Sequence, residues 1–417
     1  MRFSRPLLDA CTAALAAVLP LREPADAALS AFFRGHPKIG QRDRAAVADS
    51  VYAALRRRRL LERLAAAASP RRLALASWTL FLGASLRELG PLLRGEEQDW
   101  LATVKRDAAA EQPFGVQCDL PDWVIERLRR RFADPALLEL ARGLAQTASL
   151  DLRVNSMKTD RESAMRRLVE DGFPASATPY SPDGLRLAGR PQINRHPLFL
   201  QGDVEVQDEG SQLLCHLVAP RRGEMVVDFC AGAGGKTLAL GALMRSTGRL
   251  YAFDISPKRL AGLKPRLARS GLSNVHPQRI DGASDPRVKR LAGKIDRVLV
   301  DAPCSGLGTL RRNPDMKWRQ NPEDIAELAA KQQALLAGAA RLVKPAGRLV
   351  YATCSILDEE NRGIAEAFLA ANAQFSLVPA SKVLENGRIG LNMGDYFEVW
   401  PHLHGTDGFF AAVFERT

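Results

Sequence analysis

Val226-Val227-Asp228-Phe229 runs without a break into Cys230-Ala231-Gly232-Ala233-Gly234-Gly235-Lys236-Thr237, and this stretch decides the fold. Its first part is a short apolar run of the kind that forms a buried parallel strand. The small residues that follow permit positive φ and let a ligand approach the backbone. The helical pattern Lys236–Arg245 then opens with free N–H groups aimed at that ligand. A phosphate-binding loop would need glycine five positions before the Gly235-Lys236-Thr237 triplet, where Cys230 stands. A dinucleotide fingerprint starting at Gly232 and Gly234 would need a glycine where Thr237 stands. What remains is a glycine-rich turn for a nucleoside without pyrophosphate.

Working outward, Arg249–Phe253, Val298–Asp301 and Arg348–Thr353 are further short apolar runs. Helical patterns over Pro257–Ser270 and Pro322–Leu342 lie between them. The alternation predicts an α/β fold with a doubly wound, Rossmann-like sheet over residues 221–417. Ligands of such sheets bind at the carboxyl ends of the strands. Asp254 ends the second strand, 19 residues after Gly235, where a carboxylate can accept hydrogen bonds from ribose hydroxyls. Asp281 follows a third candidate strand around Val275–Ile280 and could take an adenine amino group. Acid, glycine loop and acid at successive strand ends fit S-adenosylmethionine. The expected cofactor set is Cys230, Ala231, Gly232, Ala233, Gly234, Gly235, Lys236, Asp254, Asp281 and Asp301.

Two further strand ends carry cysteine: Val300-Asp301-Ala302-Pro303-Cys304-Ser305-Gly306 and Tyr351-Ala352-Thr353-Cys354-Ser355. A lone cysteine is most often a small buried hydrophobe. Two at the active edge of adjacent strands point to thiol chemistry. The other four, Cys11, Cys118, Cys215 and Cys230, include no CxxC pair, so neither a zinc ribbon nor a disulfide framework is suggested. Cys11, Cys118 and Cys215 read as packing residues, Cys230 as lining the loop, and no metal is expected.

Upstream, residues 146–220 read as a small α+β connector. Leu150–Val154 alternates as a strand, and a charged helix over Arg161–Glu170 precedes Gly172. Residues 1–145 are rich in Ala, Leu and Arg and punctuated by Pro20, Pro24, Pro37, Pro70 and Pro91, which predicts a helical bundle. The chain opens Met1-Arg2-Phe3-Ser4-Arg5, and the apolar run Ala10–Leu19 is short and ends at Pro20. It predicts an amphipathic helix rather than a signal peptide. No apolar stretch reaches the ~20 residues of a membrane span. With 59 Lys and Arg against 47 Asp and Glu, the formal charge of +12 favours a polyanionic partner. Arg56–Arg59 form one basic cluster. Arg311, Arg312, Lys317, Trp318 and Arg319, directly after the Cys304 motif, suit a nucleic-acid rim.

Residues 301–306 (DAPCSG), 353–355 (TCS), 230–237 (CAGAGGKT) and 207–212 (QDEGSQ), with the tail Trp400–Phe410, resemble the signature set of the RsmB/Sun family of RNA 5-methylcytosine methyltransferases. The resemblance covers about residues 150–417. The N-terminal bundle is similar, less closely, to the NusB-like RNA-binding domain of the family's bacterial rRNA members. The resemblance implies methylation of ring carbon 5 of a cytosine in RNA, with 16S rRNA as the expected substrate. It implies Cys354 as nucleophile, Cys304 as an aid to product release, Asp301 on the cytosine ring, and Lys236 orienting the base or favouring thiolate. It also implies a cytoplasmic protein. A tRNA methyltransferase and a non-catalytic RNA-binding assembly factor with the same fold are the alternatives. Ala233 stands where the family often has proline, which leaves the loop's shape for the structure to decide.

Overall fold

The computed structural model describes residues 3–65 and 69–417; Met1 and Arg2, part of the N-terminal segment read above, lie outside them. Two compact units are formed. One comprises residues up to Gln146 together with Leu310–Asn321, and the other comprises Thr147–Thr309 with Pro322–Thr417.

The first unit is helical. Its opening helix, Arg5–Val18, is capped by the Ser4 side chain and buries Leu7, Leu8, Cys11, Ala14, Leu15 and Val18, one apolar stripe at helical spacing. That face meets Val47, Val51 and Leu55 of the helix Gln41–Arg56 and Leu75 and Trp78 of the helix Pro70–Phe81. Trp78 Nε1 is satisfied by Ser50 Oγ at 2.8 Å, which lets the indole be fully buried.

Leu310–Asn321 corrects a sequence expectation. This segment is built into the helical unit rather than forming an open basic rim. Arg311 and Lys317 are buried. Lys317 Nζ donates to the carbonyl oxygens of Arg56 (3.1 Å) and Asp119 and lies 3.5 Å from Asp119 Oδ1. Trp318 Nε1 donates to Leu55 O at 3.1 Å, and Asp315 Oδ2 accepts from Ala25 N at 3.2 Å. The cause is Asp119, a buried carboxylate on a left-handed turn (φ 50°) that ends the helix Phe114–Cys118 and needs a cation beside it. Burial pushes the Lys317 ammonium down to about 8 and outweighs the attraction of Asp119. Removing one member of a buried pair costs about 3–5 kcal/mol. Lys317→Met is therefore expected to destabilise this unit by that order, and Lys317→Met with Asp119→Leu by clearly less. Urea unfolding followed by tryptophan fluorescence checks this, because Trp78, Trp100, Trp123 and Trp318 all lie in this unit.

The second unit holds two sheets. Strands β1 (Leu150–Val154), β2 (Ala175–Ala177), β3 (Gly184–Leu187) and β4 (Val204–Val206) form an antiparallel sheet in the order β2-β3-β1-β4. Leu152, Val154, Leu185 and Val204 from these strands pack with Ala164 and Leu168 of the helix Arg161–Glu170.

The larger sheet contains β5 (Met225–Asp228), β6 (Arg249–Asp254), β7 (Val275–Arg279), β8 (Ile295–Asp301), β9 (Val343–Thr353), β10 (Phe375–Val378), β11 (Phe397–Val399) and β12 (Phe409–Arg416). Its order is β10-β12-β9-β8-β5-β6-β7, with β11 also on β12. From β7 to β9 all pairings are parallel, and β12 enters antiparallel to β9, β10 and β11. This is the Rossmann-like α/β fold expected. Strand order reverses at β5, between β6 and β8, and the crevice at such a switch point is where these sheets bind ligands. Among the described residues no helix is long and apolar enough to cross a membrane.

Candidate active site

The loop after β5 is held from several sides. Ala231 N donates to Phe253 O and Gly232 N to Asp254 Oδ2, both at 2.8 Å. Gly232 (φ 56°) and Gly234 (φ 83°) occupy the left-handed region. A Cβ on Gly234 would lie 2.1 Å from Leu263 Cδ1, so only glycine fits, whereas a Cβ on Gly232 would meet nothing within 4 Å. The loop thus packs tightly on one side and is open on the other. Arg266 Nη1 holds Ala233 O at 2.8 Å, and Arg266 is itself paired with Glu205. These bonds fix the turn with alanine at position 233.

Asp254 is joined to this loop by the Gly232 bond and accepts from Ser256 N at 2.7 Å. Asp281 lies two residues beyond the end of β7, and its exposed carboxylate pairs with Arg279 at 2.8 Å. Asp228, which sequence reasoning did not single out, is buried at the end of β5. Its Oδ2 accepts from Thr237 Oγ1 at 2.7 Å, while Oδ1 has no hydrogen-bond partner. The signal was its place as the last strand residue before the loop. An unsatisfied buried oxygen, an open Gly232 and the Asp254 carboxylate fit a small ligand with cationic and hydroxyl groups, as S-adenosylmethionine has.

Burial pushes the Asp228 carboxyl up to about 7, and the charge of Asp301 adds to this. The unfolded chain ionises here near ~4. Between those values the folded protein keeps a proton that the unfolded chain has lost, so this group's contribution falls as pH rises and is gone above about 7. Without added ligand, Asp228→Asn is expected to flatten the loss of urea stability between pH 5 and 8. The slope removed is at most ~1.4 kcal/mol per pH unit.

Across the switch point, Lys236 Nζ and Asp301 Oδ2 form an ion pair at 2.8 Å. Burial disfavours the ammonium, but the charge and hydrogen bond of Asp301 outweigh it and hold Lys236 well above the usual lysine range. Lys236 is a fixed cation, not a proton donor near neutrality. Its Nζ also lies 5.7 Å from the centre of the Phe409 ring, on the first residue of β12.

Cys304 and Cys354 come together just past the ends of the neighbouring strands β8 and β9, with 3.4 Å between their sulfurs. The Cys304 thiol is pushed well above its ordinary range, first by the hydrogen bond with Cys354 and then by burial. The segment behind them is braced by Gly308, whose N donates to Cys354 O and whose O accepts from Gly408 N, both at 2.8 Å. A Cβ on Gly308 would lie 2.2 Å from Gly408 O, which ties the C-terminal motif to the cysteine loops. The remaining cysteines have no such setting. Burial pushes Cys11 and Cys118 up to about 11 and Cys215 to about 12, and raises Cys230 further still. Among the described residues no cluster of three or more potential metal ligands occurs.

Comparison with known proteins bears on this arrangement. Residues 215–415 match the family described as 16S rRNA methyltransferase RsmB/F, and residues 120–194 match the ferredoxin-like domain described for RsmF/B-like methyltransferases. The probable ribosomal RNA small subunit methyltransferase B of Synechocystis sp. is 37% identical over 73% of this chain and 68% of its own length. The probable ribosomal RNA small subunit methyltransferase B of Bacillus subtilis is 33% identical over 70% of this chain. There the chain spans 65% of the relative, just under two thirds. The solved structure of the protein PH0851 superposes with a TM-score of 0.80 at 26% identity, covering 100% of both chains. With the glycine loop, the strand-end acids and the paired cysteines in place, the chain belongs to the RsmB/F family of S-adenosylmethionine-dependent methyltransferases.

Proposed function

We propose that this protein methylates ring carbon 5 of a cytosine in small-subunit ribosomal RNA through a covalent bond to Cys354. The observation that carries the reading is the Cys304–Cys354 pair, 3.4 Å apart at the ends of adjacent strands, beside the Lys236–Asp301 pair and the glycine loop. The names of the relatives support ribosomal RNA over tRNA as substrate. In this reading the NusB-like helical unit, with its basic residues, binds RNA.

Carbon 5 of cytosine is a poor nucleophile. Bound S-adenosylmethionine, held by residues 230–236, Asp228 and Asp254, supplies an electrophilic methyl group. Cys354 Sγ loses its proton to solvent and bonds to ring carbon 6, and the electrons of the 5,6 double bond become available at carbon 5, which would take the methyl group as its bond to the sulfonium sulfur breaks and S-adenosylhomocysteine is left. Asp301, fixed by Lys236, hydrogen-bonds the ring and orients it. Solvent then takes the proton from carbon 5, the double bond re-forms, and the bond from carbon 6 to Cys354 breaks with its electron pair returning to the sulfur. Splitting one difficult substitution into addition and elimination is what covalent catalysis achieves. Cys304, in contact with Cys354 at 3.4 Å, serves this release step. The target base must leave its stack to reach the pocket.

The test is incubation with S-adenosylmethionine labelled in the methyl group and purified small-subunit rRNA or tRNA, followed by nucleoside analysis. Label in 5-methylcytidine from rRNA is expected. Label only in tRNA, or only in another nucleoside, would contradict the reading.

A further inference from the structure

Glu360 lies outside the residues discussed so far. It is fully buried, on the short 3-10 turn Asp358–Glu360, and its carboxylate accepts four hydrogen bonds. Oε1 accepts from Ser305 N at 2.8 Å and from Gln332 Nε2 at 3.0 Å. Oε2 accepts from the hydroxyls of Ser305 and Ser355, each at 2.5 Å. The two serines directly follow Cys304 and Cys354, and their hydroxyls are 3.1 Å apart.

The surroundings reinforce this junction. Gln332, from the helix Pro322–Ala340, also donates to Pro303 O at 3.0 Å, and Tyr351 Oη donates to Glu360 O at 2.6 Å. Asn361 takes the Thr353 hydroxyl at 2.5 Å and donates to Ser355 O at 3.0 Å, so both residues flanking Cys354 are fixed. A buried carboxylate is costly unless its lone pairs are filled. Here they are filled by groups from both cysteine loops, so the carboxylate is stable only while the two loops stay together.

We propose that Glu360 is a positioning residue that clamps the two cysteine loops and sets the separation of Cys304 and Cys354. It touches neither sulfur and acts through Ser305 and Ser355. Its value for catalysis rests on the reading above, in which the two thiols work in sequence on one base. Misplacing reacting groups by ~1 Å can cost about 100-fold in rate.

The test uses the full chain and two readouts. The first is the rate at which diamide, a thiol oxidant reduced to its hydrazine in the process, converts Cys304 and Cys354 to a disulfide. Peptide mapping after alkylation follows that rate without methyl transfer. The second is kcat and KM for RNA methylation. Glu360→Ala is expected to slow disulfide formation at least tenfold and lower kcat by ten- to 100-fold, with KM for S-adenosylmethionine within about threefold. Glu360→Gln keeps the shape and the Oε1 acceptor, and the hydroxyls can turn to accept from its amide, so it should recover most of both rates. If Glu360→Ala does not fold, Ser305→Ala with Ser355→Ala takes its place, with the same result expected. A folded variant whose disulfide rate or kcat stays within twofold of the parent overturns the proposal. Should the parent methylate no RNA, the function reading fails, while the disulfide rate still decides whether Glu360 holds the thiols together.

Discussion

Cys354→Ala is expected to lower methyl transfer to RNA by on the order of 10³-fold or more while leaving S-adenosylmethionine affinity within about threefold. The two effects separate because Cys354 makes no hydrogen bond to the glycine loop, to Asp254 or to Asp228. Its contacts run to Cys304 through sulfur and to Gly308 through its carbonyl. Alanine keeps that carbonyl bond and removes only the sulfur. Without the thiol the cytosine ring cannot be activated at carbon 5, so the barrier returns almost to that of the bare substitution. Titration calorimetry with the cofactor, beside single-turnover methylation, checks both halves. A variant retaining more than a tenth of the parental rate would remove Cys354 from the role of nucleophile.

Cys304→Ala is expected to fail differently. Addition and methyl transfer need only Cys354, so the first half-reaction should proceed. Release should slow by on the order of 100-fold, the usual scale for loss of one proton-transfer group. An RNA-linked protein that survives denaturing electrophoresis should then accumulate with ordinary RNA and cofactor. The motivation is the 3.4 Å contact between the two sulfurs. Full turnover with no linked species would show that Cys304 has no part in release.

The catalytic sheet was readable in the sequence because its strands are buried on both faces. Val226-Val227, Val298–Val300 and Leu349-Val350 are continuous apolar runs with no competing helical period. β1 and the helix Arg161–Glu170 were equally plain, one from alternation and the other from its charged run ending before Gly172. The loop glycines, Asp254, Asp301 and the two cysteines were legible because each sits where a strand ends. Two features were not. Lys317 read as part of a nucleic-acid rim, since charged residues are usually exposed, and only the buried Asp119 carboxylate explains its burial. Glu360 follows four acidic or apolar neighbours in Ile356-Leu357-Asp358-Glu359 and nothing local marks it as the buried one. Its partners, Ser305 and Gln332, are 55 and 28 positions away, and only the folded chain brings them to it.

The central claim is that Cys354 bonds to cytosine in RNA. It is tested most directly with small-subunit rRNA transcribed with 5-fluorocytidine, in which fluorine replaces the proton that must leave carbon 5, so that a methylated adduct cannot break down. In the presence of S-adenosylmethionine the parent and Cys304→Ala proteins should both become linked to this RNA, with the modified peptide containing Cys354, and Cys354→Ala should not. Linkage that persists in Cys354→Ala and disappears in Cys304→Ala would contradict the assignment.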